Sequence, residues 1–256
     1  MKDFIVYGVG QLGQLFAGGA LRENRRVVPI TRGGDLDEVW DNTSVNTPIL
    51  VGVGEGELDA VLGTIPAPRR EHVLLVQNEL FPKQWTEIGI RSPTIGIIWL
   101  SKKKGRPVEI ARPSTLFGPH SSFFASLHQA LELPFEEVDE AKMHRLLVAK
   151  FAFILGINTL GLVENLPLGD WLRKDEGQVD AVLKDAVTLG EAHLDACIDA
   201  DLALREAKEA MQALAHYPAK GRTAAQRLQR AIVDAKALNC DVKIFLSIAE
   251  NIEKSA

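Results

Sequence analysis

Six residues near the amino terminus constrain this chain more than any others. Gly8-Val9-Gly10-Gln11-Leu12-Gly13 follows the apolar run Phe4-Ile5-Val6-Tyr7 and leads into Leu15, Phe16, Ala17, Ala20 and Leu21 at helical spacing. A buried parallel strand reads as a continuous apolar run, whereas an amphipathic helix repeats its apolar positions every three to four residues. Between such a strand and such a helix, GxGxxG acquires a physical meaning. The first glycine permits a tight turn, and the second lets a pyrophosphate approach the backbone. The third lets the helix pack closely on the strand, and the helix amino terminus attracts phosphate charge. The pattern predicts a dinucleotide site at Gly8, Val9, Gly10, Gln11, Leu12 and Gly13. The alternative is a turn with a structural role alone.

The second strand, Arg26-Val27-Val28-Pro29-Ile30, is followed by Thr31-Arg32. A site for NAD usually carries an acid at this strand end to bind the ribose 2′-hydroxyl. Arg32 instead suits a 2′-phosphate, so NADP(H) is the expected cofactor. Asp35 and Asp37 follow closely and could serve a 2′-hydroxyl, and Arg32 could simply be solvated.

Further strand patterns fall at residues 48–53 and 72–76, with a helix pattern from Glu57 to Leu62 between them. Repetition of strand, helix and strand implies right-handed βαβ units in a parallel sheet. Residues 94–100 and 107–110 flank Lys102-Lys103-Lys104-Gly105, which predicts a hairpin closing the sheet edge. Its lysines are a solvated tip or a phosphate contact. From residue 121 the pattern is helical, over about 121–131, 140–164, 176–197, 201–216, 223–238 and 241–254. The expected architecture is α/β, with a Rossmann-type dinucleotide-binding domain over 1–134 and an all-α domain over 135–256.

The formal net charge of −5 argues against a general affinity for nucleic acid, which needs clustered positive charge. The six histidines lack metal-ligand spacing and the two cysteines form no CxxC pair, so no metal site is expected. Cys197 and Cys240 read as buried free thiols, which fits a cytoplasmic location. The amino terminus carries no signal-peptide pattern, which fits the same location. Residues 145–163 are apolar enough to raise the question of a membrane span. Lys150 and Asn158 lie inside them, however, and a mid-segment lysine is costly in lipid. A buried helix of a globular domain is the better reading.

That helix makes Lys150 the leading catalytic candidate. Apolar surroundings disfavour a lysine's charged form, which suits proton transfer. Asn158, eight residues on, lies about 80° around the helix, so the two could line one cleft. Alternatively, Lys150 snorkels to solvent and Asn158 bonds backbone near Gly156 and Gly161. Gln77-Asn78 follows a buried strand, at the carboxyl end where α/β sheets bind ligands. An ordinary turn is the other reading of that pair.

Taken together, these residues resemble the ketopantoate reductase (2-dehydropantoate 2-reductase) family over nearly the whole chain. The likeness rests on the motif at 8–13, Arg32, Val76-Gln77-Asn78, Gly105 and Gly118, the helix from Lys150 to Asn158, and the late helix at 221–239. It implies hydride transfer from NADPH to a 2-keto acid in a cleft between the two domains. It also implies a proton-donating role for Lys150, substrate binding by Asn158 and Asn78, and cofactor contact by Gln77 and Asn78. The late amphipathic helices could pair two copies as a homodimer.

The chain also departs from the family's pattern. Ile154 stands where the family has a second asparagine, and Val51 to Glu55 lacks the family's lysine. Neither the serine nor the glutamate expected near the late helix is found, the stretch there reading His216 to Lys220 and then Thr223-Ala224-Ala225. Each lost polar contact is worth about 1–3 kcal/mol. The implied function is an NADPH-dependent reductase of a carbonyl other than ketopantoate. The alternative is a non-catalytic NADP(H)-binding sensor or regulatory protein.

Overall fold

A computed structural model describes residues 2–255 of the chain. It divides into two compact units, Met1–Met143 and His144–Ala256. The first is α/β and the second, among its described residues, is helical, as the order of the sequence patterns dictates.

In the first unit, β1 (Asp3–Tyr7), β2 (Arg26–Ile30), β3 (Ile49–Val51), β4 (Val73–Leu75) and β5 (Thr94–Ile97) pair in parallel. Their order is β2-β1-β3-β4-β5. The chain therefore leaves β1 toward one side for β2 and then crosses to the other side for β3. The crossovers carry α1 (Gln11–Arg22), α2 (Leu36–Asp41), α3 (Leu58–Thr64) and α4 (Lys83–Thr86). Strands β3 and β4 are buried at every residue, which is why both read as unbroken apolar runs.

The sheet edge differs from the sequence expectation. The apolar run from Thr94 to Leu100 is not one strand, because the chain leaves the sheet at buried Ile98 and Trp99. The Trp99 carbonyl accepts from Ala111 N at 2.8 Å, and this starts a separate two-stranded hairpin. Its strands are β6 (Leu100–Lys102) and β7 (Val108–Ile110), with Lys103 and Lys104 exposed at the tip. The place beside β5 is taken by β8 (Ser114–Phe117), running antiparallel.

After α5 (Ser121–Ala130), β9 (Phe135–Glu137) pairs in parallel with β8 and forms the last strand of the sheet. The first unit thus extends past Pro134 to Met143. Glu136 and Glu137 masked this strand in the sequence, since edge strands tolerate charge that interior strands do not. Helix α5 packs on α1, with the Phe16 and Phe124 rings edge to face at 4.7 Å.

The second unit begins within α6 (Glu140–Val163) and continues through α7 (Leu168–Lys174), α8 (Glu176–Leu194), α9 (Ala200–Ala213), α10 (Ala224–Ala237) and α11 (Lys243–Ser255). By length and composition α6 could cross a membrane, but 78% of its most apolar window is buried inside the protein. It is a core helix. The Arg145 guanidinium on α6 meets the buried Glu206 carboxylate on α9 through Nε at 3.2 Å. The cysteines are not both buried as expected. Cys197 is exposed and Cys240 half-buried, because each lies just beyond the end of a helix rather than on its packed face.

Candidate functional site

The strand order creates a switch point between β1 and β3, where successive crossovers diverge and leave a crevice outside the strand ends. A cavity of about 790 Å³ lies there. Tyr7 to Gly10 from the first turn, Ile30 to Gly34 from the second, and Gly52 to Gly54 with Glu57 from the third line it.

The three glycines of the motif do different work. Gly8 has φ +93°, a backbone conformation that other residues rarely adopt, and its N–H donates to Ile30 O at 3.0 Å. A Cβ on Gly13 would collide with the carbonyl oxygen of Gly8, so the helix can lie this close to the turn only without a side chain. Gly10 has no such reason within the protein. A Cβ there would meet nothing nearer than Gly52 O at 3.9 Å. Gly10 is exposed, and its φ of −75° suits any residue.

Gly10 also occupies the cap position immediately before α1. No side chain caps that helix and its first turn holds no acid, so its leading N–H groups face outward with their partial positive charge uncompensated by a carboxylate of that turn. Val9 and Leu12 pack against the core of the unit and fix the turn in place, while Gln11 stands half-buried beside them. The fold accounts for Gly8 and Gly13 but not for Gly10, whose open face leaves room for a ligand against the turn. A dinucleotide pyrophosphate fits this cradle, with Gly8 to Gly13 as the residues that would hold it.

Arg32 lines the same cavity, and its guanidinium is ion-paired with Glu57. Neither Asp35 nor Asp37 lines this cavity. Asp35 accepts from Glu38 N and caps α2, and Asp37 lies within the first turn of that helix.

Gln77 and Asn78 follow β4, beside the crevice. The Gln77 amide donates to Val51 O at 2.7 Å and Val53 O at 3.2 Å, and its oxygen accepts from Val76 N. Both amide hydrogens are thus engaged by backbone. Gln77 ties the end of β4 to the loop after β3. Asn78 donates to Glu55 Oε1 at 2.9 Å. Glu55 and Glu57 belong to the turn following β3, where the lysine of the resembled family was missing. The motif gave no signal for them, because it places its acid at the end of the second strand.

On α6, Lys150 is 7% exposed and its Nζ lies 5.5 Å from the centre of the Phe153 ring. Asn158 is buried and donates to Ile154 O at 2.7 Å, one turn back, while its oxygen accepts from Gly221 N at 3.0 Å. Asn158 therefore ties α6 to the segment before α10. These are backbone bonds close to Gly156 and Gly161, as the second reading of Asn158 had it, and they fall on Ile154 and Gly221. Lys220 packs so closely over Gly161 that a Cβ there would strike its backbone. Among the described residues there is no group of three or more His, Cys, Asp or Glu side chains placed to hold a metal ion.

Neither a protein-family model nor a curated sequence matches the chain. Solved structures do. A 2-dehydropantoate 2-reductase from Geobacter metallireducens superposes with a TM-score of 0.68 at 14% identity, over 99% of this chain and 100% of that one. The chain shares the fold of these reductases. A D-mandelate dehydrogenase in complex with NADH gives a TM-score of 0.68 at 11% identity, covering 99% and 98%. A dimeric ketopantoate reductase from Staphylococcus aureus gives 0.61 at 14% identity, covering 98% and 99%. The fold is common to a group of oxidoreductase structures, at identities where the substrate is not transferred with the backbone.

Proposed function

We propose that this chain is a nicotinamide-dependent reductase of a 2-keto acid or related carbonyl, a divergent relative of the ketopantoate reductases, with NADP(H) preferred over NAD(H). Gly10 carries the reading. It is the one glycine of the motif whose lack of a side chain serves nothing inside the protein, and it stands at the head of an uncapped helix in the switch-point crevice. The shared fold supports the same reading. Arg32 is the basis for preferring a 2′-phosphate.

A reduced nicotinamide, when bound, supplies hydride to the carbonyl carbon. Negative charge then develops on the carbonyl oxygen and must be met by a proton donor or a fixed cation. Lys150 is the residue proposed for that task, with Asn78 and Asn158 as substrate-binding residues. In the structure both asparagines already hold protein partners, Glu55 for Asn78 and backbone for Asn158. Ile154 replaces a polar group of the family's pattern with an apolar one, so the preferred substrate is less polar than ketopantoate. The two free cysteines support a cytoplasmic setting. A homodimer is proposed by analogy with the dimeric Staphylococcus aureus enzyme.

The second reading is a non-catalytic NADP(H)-binding sensor, favoured by the engagement of Asn158 with backbone on both sides of its amide. A screen of 2-keto acids, followed by the loss of NADPH absorbance, separates the two. Reduction of at least one carbonyl supports the reductase. Tight NADPH binding without turnover on any of them supports the sensor.

A further inference from the structure

Glu57 is the second charged residue of the cavity, and its place bears on which cofactor the site accepts. Its carboxylate meets the Arg32 guanidinium across the cavity mouth, joining the turn after β3 to the end of β2. It immediately precedes α3 yet makes no capping bond to that helix, so the helix does not account for it. The side chains of Arg32 and Glu57 are 90% and 48% exposed, and ion pairs at such exposure hold only weakly.

Toward the two cofactors a carboxylate in this position acts in opposite senses. A 2′-phosphate carries close to two negative charges, so Glu57 competes with it for Arg32 and repels it. An unphosphorylated ribose presents a hydroxyl donor, and a carboxylate is the group that usually receives it. The position from which that acid normally comes is not available here. The second strand is followed by Thr31-Arg32, and Asp35 is engaged as the cap of α2. Glu57, in the turn after β3, brings an acid to Arg32 within the same cavity.

We propose that Glu57 sets the cofactor selectivity of this site, holding Arg32 against a 2′-phosphate and accepting the 2′-hydroxyl when the phosphate is absent. This rests on the dinucleotide reading above. It makes the preference for NADP(H) a narrow one, set by the balance between one guanidinium and one carboxylate.

Calorimetric titration of wild type, Glu57→Gln and Arg32→Ala with NADPH and with NADH tests it without any need for turnover. Glutamine keeps the size of the side chain and its hydrogen-bonding capacity while removing the charge. Glu57→Gln should bind NADPH about fivefold more tightly and NADH about two- to fivefold more weakly, so that the ratio of affinities moves about tenfold or more toward NADPH. Arg32→Ala should lose about tenfold or more for NADPH and stay within about twofold for NADH. If both cofactors bind wild type and Glu57→Gln leaves their ratio unchanged, the inference fails while the dinucleotide reading stands. If wild type binds neither cofactor, the dinucleotide reading fails and takes the inference with it.

Discussion

The carbonyl oxygen of Gly8 stands too close to the place of a side-chain carbon at Gly13 for any other residue to fit there without a shift. Strand end and helix start are locked together by this approach, and the cost of disturbing it falls on the fold. Gly13→Ala should destabilise the protein by about 1–3 kcal/mol, the usual penalty for forcing an extra carbon into a packed site. Urea unfolding of the two proteins measures this, and an unchanged midpoint would mean that the turn relaxes freely.

Arg69 supports the same unit from its far side. It is buried in the turn before β4, and its guanidinium donates to the carbonyls of Trp40, Thr43 and Ser44 and to Thr43 Oγ1. These bonds pin the loop between α2 and β3. A lysine has the charge but not the planar fork, so Arg69→Lys should still cost about 2–4 kcal/mol. Chemical denaturation checks this, and a loss under about 0.5 kcal/mol would show that charge alone suffices.

Acid should weaken the fold before it affects the carboxylates. Burial holds His72, His120 and His128 below the ordinary histidine value near 6.5, and the proximity of His72 further opposes charge on His120. His72 Nδ1 and His120 Nε2 share one hydrogen bond at 2.9 Å, which leaves no room for a proton on both nitrogens. A histidine depressed in the folded state takes up protons more readily when unfolded. Its contribution is complete above pH of about 6.5 and is lost as pH falls through the folded-state value. Unfolding free energies at pH 8, 7, 6 and 5 should be level at first and then decline below about 6.5. A flat profile down to pH 5 would contradict the assignment.

Lys150 separates catalysis from binding. If it donates the proton, Lys150→Met should lower kcat by about 10²–10⁴ on whichever carbonyl is reduced. NADPH affinity should hold, since the glycine turn belongs to the other unit. Methionine also removes a buried ammonium from α6, so melting temperature should stay level or rise. Full turnover in the variant would remove Lys150 from the chemistry.

The parts of this molecule that were legible in its sequence are those governed by local pattern. The β1–α1–β2 unit follows from an apolar run, a glycine turn and a helical period, and the helices of the second unit from period alone. What was hidden depended on partners distant in sequence. β8 is a strand because the chain leaves the sheet at Trp99, and β9 is one because β8 offers an edge that tolerates Glu136 and Glu137. Gln77 and Asn158 were singled out by position, but their backbone bonds to Val51 and Gly221 exist only in the folded chain. Glu57 is 25 residues from Arg32 in sequence, and no motif links them.

The central claim is that the glycine turn holds a dinucleotide, and one pair of titrations tests it most directly. NADPH is titrated calorimetrically into wild type and into Gly10→Val, with thermal melting of both in the absence of cofactor. A Cβ at Gly10 meets only Gly52 O, at an ordinary contact distance of 3.9 Å, so the variant should melt within a few degrees of wild type. Wild type should bind NADPH and Gly10→Val should not, because the valine fills the space the pyrophosphate needs. Undiminished binding by a folded Gly10→Val, or no binding by wild type, would contradict the account.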